Sequence, residues 1–127
     1  MKKEIIFTEK ATKPTAPYSQ AVKVGNIVYL AGACGDDPAT DKIMGNGDIK
    51  IEAKYALENI KAAVEAAGGT MENIVKMNVF VKDIKMMKDF NEVYKTYFPV
   101  DPPARIAMQI TDLAGGANLE IDGVAII

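Results

Sequence analysis

The chain has 127 residues, 49% of them hydrophobic and 25% charged, with a formal net charge of -2. That is enough for one domain, residues 1–127, with a substantial core, and it excludes disordered and fibrous classes. Scattered lysines and a slightly acidic balance argue against nucleic acid or an anionic membrane as partner. No apolar run reaches the roughly 20 residues that span a bilayer, and Met1-Lys2-Lys3-Glu4 turns polar too early for a signal peptide, so a cytoplasmic protein is expected.

The first elements are three short strands, Ile5 to Thr8, Ala21 to Val24 and Ile27 to Gly32, with Gly25-Asn26 as a two-residue hairpin turn between the last two. Turn chemistry follows at Gly35-Asp36-Asp37-Pro38 and at Gly45-Asn46-Gly47-Asp48. From Glu52 to Ala67, Ala53, Ala56, Leu57, Ile60, Ala63, Val64 and Ala67 recur at helical spacing, and Gly68-Gly69 closes the helix. A strand over Ile74 to Val81 places Val75, Met77, Val79 and Val81 on one face. A second helix, about Lys85 to Phe98, carries Met86, Phe90, Val93, Tyr94 and Tyr97 on its buried stripe and stops before Pro99. The Arg105 strand, Ala104 to Ile110, a turn at Gly115-Gly116 and a last strand, Asn118 to Ile127, complete the order β-β-β-α-β-α-β-β. Right-handed crossovers then put both helices on one face of a mixed six-stranded sheet, an α+β fold.

The chain has no histidine, so chemistry that relies on an imidazole is unavailable. The single Cys34 forms no internal disulfide and no multi-cysteine zinc site; alone it reads as a small buried hydrophobe. Among 15 basic residues only Arg105 is an arginine. A planar guanidinium suits bidentate capture of a carboxylate or phosphate, and it equally suits a structural ion pair.

Alternation on the Arg105 strand assigns Ala104, Ile106, Met108 and Ile110 to the helices and turns Arg105, Ala107 and Gln109 toward the uncovered face. On the last strand, Leu119, Ile121, Ala125 and Ile127 alternate with Glu120, Asp122, Val124 and Ile126. Glu120 is thus expected on the uncovered face beside Arg105, either as its ion-pair partner or as a functional carboxylate. Phe80, Val124 and Ile126 make that face too apolar for water, which implies a homo-oligomer.

The runs Ala16-Pro17-Tyr18-Ser19-Gln20-Ala21-Val22, Gly25-Asn26-Ile27-Val28-Tyr29, Leu57-Glu58-Asn59-Ile60-Lys61-Ala62, Glu65-Ala66-Ala67-Gly68, Val79-Phe80-Val81-Lys82-Asp83, Pro103-Ala104-Arg105 and Leu119-Glu120-Ile121 resemble, in order, the reactive intermediate deaminase (RidA, YjgF-type) family. This family is also called the endoribonuclease L-PSP family. The resemblance implies a chorismate-mutase-like (bacillus-type) subunit in a homotrimer with clefts between subunits. It further implies cofactor-independent hydrolysis of 2-imino acids, or their enamine tautomers, to 2-oxo acids and ammonia, with these small acids as ligands. On the same resemblance Arg105 holds the substrate carboxylate, Glu120 positions or activates water, and Tyr18 closes over the ligand. Ala31, Gly32, Ala33, Cys34 and Ala107 supply main-chain contacts, and Tyr94 stands where an asparagine is often found. The chain departs from the family pattern at Ala31-Gly32-Ala33, where many members carry Ser-Gly-Gln, at Ile106-Ala107 in place of Ser-Cys, and at Asp41. These departures keep a carboxylate-binding, non-catalytic role open. The older ribonuclease role fits poorly with a histidine-free, weakly acidic chain.

Overall fold

Gly25, at φ 60, turns the chain between two strands whose ends pair as Val24 with Ile27, as the Gly25-Asn26 dipeptide requires. This computed structural model describes all 127 residues and has β1 (Lys3–Ile6), β2 (Ala21–Val24), β3 (Ile27–Cys34), α1 (Ile49–Ala66), β4 (Ile74–Val81), α2 (Met87–Tyr97), β5 (Ala104–Gln109) and β6 (Leu119–Ile126). One six-stranded sheet runs in the order β1-β2-β3-β6-β4-β5. The β4–β5 pair is parallel and every other pair antiparallel. Both helices lie on one face, so the expected α+β architecture is present.

All seven apolar positions expected on the first helix are buried. Each large one, such as Leu57 or Ile60, contributes about 1.5–3 kcal/mol by leaving water. The helix begins at Ile49 rather than Glu52, because the Asp48 side chain accepts a 3.0 Å bond from the Lys50 N–H and caps it. At the other end Gly68, at φ +97, and Gly69 donate to Glu65 and Val64 carbonyls at 3.0 Å each, closing the helix as expected. Glu52, in the first turn, is fully buried; its carboxylate accepts from Asn118 N, Asn118 Nδ2 and Leu119 N, which ties α1 to the start of β6.

Four expectations need correction. The first strand is Lys3–Ile6, not Ile5 to Thr8, because Lys3 to Ile6 pair with Val24 to Ala21 and the Thr8 backbone bonds to Gln20 instead. The third strand continues to Cys34, past a register shift between Leu30 and Ala33. In β4 a similar irregularity between Ile74 and Lys76 buries Ile74 and turns Val75 outward. The fourth correction concerns β5: Arg105, Ala107 and Gln109 pair with the buried Met77, Val79 and Val81 and share the helix-covered face. Ile106 and Met108 lie with Asn78 and Phe80 on the uncovered face, 40% and 44% exposed. The alternation of β5 points to the wrong side because both faces of this sheet are apolar, so periodicity alone does not say which one the helices take.

The uncovered face carries Ile5, Tyr29, Val124, Ile126, Phe80, Ile106 and Met108, most of them partly or largely exposed. The apolar character expected for it is therefore present.

Candidate functional site

A cavity of about 640 Å³ opens between residues 11–18, the end of β3 and α1. Two buried amides hold its walls. Gln20 Nε2 donates to the carbonyls of Thr8, Ala11 and Thr12 at 3.0–3.3 Å, and Gln20 Oε1 accepts from Thr8 N at 2.7 Å. Asn59, projecting from α1, donates to the carbonyls of Cys34 and Asp36 at 3.1 and 2.9 Å and accepts from Thr12 N at 3.3 Å. These bonds replace the regular ladder that the 11–18 segment lacks, so the wall has a defined shape.

Glu120 faces this cleft from β6. The Cys34 thiol donates to its Oε1 at 3.2 Å. Gly32 passes so close that a Cβ there would lie 2.9 Å from Glu120 Oε2, so a side chain at that position would displace the carboxylate. Burial, and then the bonded Glu120, push the Cys34 thiol far above its usual range, so it is a neutral donor. Tyr18 lies on the cleft rim, 51% exposed. Burial raises its phenol, and the charges of Asp36, Cys34 and Glu120 add to the shift in that order. Asp36, half-buried in the wall, is also raised, chiefly by desolvation.

Arg105 lies elsewhere. Its Nη1 donates to Asn91 Oδ1 of α2 at 2.8 Å, and its guanidinium carbon stands 4.7 Å from the centroid of the Tyr94 ring. A smaller cavity of about 310 Å³ adjoins these residues, with Phe98 and Pro103 on its wall. Tyr94 is 6% exposed and packs between Phe90 and Phe98 at ring separations of 5.5 and 4.6 Å. Its hydroxyl is buried without a partner, and burial pushes it up to about 12 against the opposing effect of the Arg105 cation.

Tyr18, Ala31, Gly32, Ala33, Cys34 and Glu120 line one cleft, whereas Arg105 and Tyr94 line another cavity and Ala107 lines neither. The ion pairs of the chain are Lys13–Glu9, Lys82–Asp112 and Lys95–Glu92. Arg105 and Glu120 are not a pair; they stand on opposite faces of the sheet. Tyr94 is mainly a core residue, and the asparagine of the second helix that meets Arg105 is Asn91. Sequence reasoning missed Gln20, Asn59, Asp36 and Asn91. Asn59 carried a signal, a polar residue inside the apolar stripe of α1, while Asn91 carried none.

No group of three or more histidine, cysteine or acidic residues is arranged to hold a metal, and no helix is long and apolar enough to cross a membrane. A family model described as endoribonuclease L-PSP matches residues 8–127. The chain belongs to this family. A RutC family protein of Pyrococcus abyssi is 46% identical over 98% of both chains. The human protein named 2-iminobutanoate/2-iminopropanoate deaminase is 40% identical, covering 98% of this chain and 90% of that one. The crystal structure of RidA from an Antarctic Psychrobacter superposes with a TM-score of 0.93 at 41% identity, over 98% and 99% of the chains. Escherichia coli TdcF with bound serine gives 0.93 at 35% identity over 98% of each.

Proposed function

We propose that the protein is a cofactor-independent 2-imino acid deaminase acting as a cytoplasmic homotrimer, with each site formed between two copies. The observation that carries the reading is Glu120, held by Cys34 inside a cleft beneath Tyr18, with the arginine on the opposite face of the same sheet. A protomer that separates its carboxylate from its carboxylate-binding cation completes a site by presenting each to a neighbour. The apolar uncovered face supports association, and relatives named deaminases at about 40% identity support the chemistry.

In this mechanism Arg105 of the partner subunit binds the substrate carboxylate in a bidentate grip and fixes the iminium carbon over Glu120. Glu120 accepts a proton as water adds to that carbon. The tetrahedral carbinolamine then loses ammonia as the C–N bond breaks and C=O forms, so one imino acid and one water give one 2-oxo acid and one ammonia. The Cys34 hydrogen bond fixes the carboxylate's orientation.

The test generates 2-iminobutanoate in situ and follows 2-oxobutanoate release. Acceleration over buffer is expected to fall at least about 10²-fold in both Arg105→Ala and Glu120→Gln. Mixing the two inactive variants restores activity, because some clefts then receive an intact residue from each copy. No acceleration by the wild-type chain would refute the reading.

A second reading, a small-carboxylate-binding module without turnover, is favoured by one feature: Ala31 and Ala33 bring no polar side-chain group to the cleft. Calorimetric binding of 2-oxobutanoate with no imine hydrolysis would support it.

A further inference from the structure

The protomer's cleft carries two carboxylates, Asp36 and Asp41, beyond the Glu120 that the proposed hydrolysis uses. Its volume of about 640 Å³ falls within the range of cavities that hold much larger ligands. The β3 side of the cleft, Ala31-Gly32-Ala33, adds only methyl groups or hydrogen. The three carboxylates on its lining are Asp36, Asp41 and Glu120. Lys13, which also lines it, has its Nζ 2.8 Å from Glu9. None of the three carboxylates has a lysine or arginine nitrogen within 4.0 Å.

Asp36 is the distinctive one. Asp41 is exposed on a turn, where water solvates it, and Glu120 faces the iminium in the proposed reaction. Asp36 is half-buried and fixed: Asn59 Nδ2 donates to its carbonyl at 2.9 Å and reaches its Oδ1 at 3.4 Å, and its backbone bridges to Ile43. A half-buried carboxylate in a cleft wall with no cation within 4.0 Å retains part of a desolvation cost that a positively charged ligand group would relieve. Burial does raise the acid's pKa, consistent with that cost. Tyr18, Asp36 and Glu120 all line this one cleft.

We propose that Asp36 is a specificity-determining residue that selects 2-imino acids carrying a basic side chain, such as a guanidinium, over those with neutral or acidic side chains. The inference rests on the deaminase reading. In it the substrate has three charged points: its carboxylate meets the arginine of the neighbouring copy, its iminium meets Glu120, and its side-chain cation meets Asp36.

An amino-acid oxidase with catalase supplies imines from arginine, leucine and glutamate, and semicarbazide trapping reports their lifetimes. The arginine-derived imine is expected to be hydrolysed with a kcat/KM at least about tenfold above the leucine-derived one, the scale of one charge-assisted contact, with the glutamate-derived imine slowest. Asp36→Asn brings the arginine-to-leucine ratio of kcat/KM down towards one, chiefly through KM, and far-UV circular dichroism with the thermal midpoint reports correct folding. Asp36→Lys reverses the order of the charged imines. Equal rates for all three imines, or an equal loss on all three in Asp36→Asn, overturns the proposal and leaves the deaminase reading intact. If no imine is accelerated, the deaminase reading fails. Calorimetry with the 2-oxo acids of arginine and glutamate then still decides on the charge preference, and equal affinities overturn it.

Discussion

The cleft wall and the Arg105 edge are secured in different ways. On the wall and in the core behind it, each buried polar side chain has several partners: Gln20 holds three carbonyls, Asn59 two, and Glu52 three donors at the root of β6. On the edge strand, Arg105 has one hydrogen bond and one aromatic face. Buried polar groups that are multiply bonded fix a shape inside one chain, whereas a cation with spare donors is still available to a ligand or neighbour.

The largest test of this contrast is Glu52→Ala. It strands the Asn118 and Leu119 donors in the core and is expected to cost about 3 kcal/mol or more in chemical denaturation. Gln20→Ala should follow, at about 2 kcal/mol, with faster hydrogen exchange across residues 8–20. Tyr94→Leu removes the ring beneath Arg105 and a packed aromatic together. Tyr94→Phe removes only an unpartnered hydroxyl, so its stability should stay within about 1 kcal/mol of the parent, or exceed it. A comparable loss in both Tyr94 variants would show that the hydroxyl has a partner.

Asp36 gives a pH test. Its folded pKa is raised above the unfolded value, so the stability associated with its protonated form is complete below the unfolded pKa and is lost as pH rises through the folded one. Asp36→Asn should therefore gain on the parent as denaturation curves are moved from about pH 3 to pH 7. The smallest effect concerns Cys34. Its thiol is held neutral, so alkylation by iodoacetamide at pH 8 should be slow, and Glu120→Gln should speed it by removing a nearby negative charge.

Helix α1 was legible because its seven apolar positions repeat at one period and one glycine pair ends it. Glu120 was legible as a residue facing away from the helices, since β6 is regular along its length. Arg105 was not. Its strand lies at the sheet edge with apolar residues in both registers, so the sequence held no sign of which set met α2. Only pairing with Met77 and Val79 resolves it. Asn91 escaped for a related reason, because a polar residue on an exposed helix surface looks like any other until the cation it holds is in place. The bulge that turns Val75 out is a backbone event without a glycine or proline to announce it.

The position of β5 at the end of the sheet has one more consequence. Its outer backbone groups have no strand partner, and Ile106 and Met108 lie bare beside them. A strand of this kind is the first place where dilution would be felt. The melting temperature of the proposed assembly should accordingly climb with protein concentration, because part of its folding free energy is held in contacts between copies.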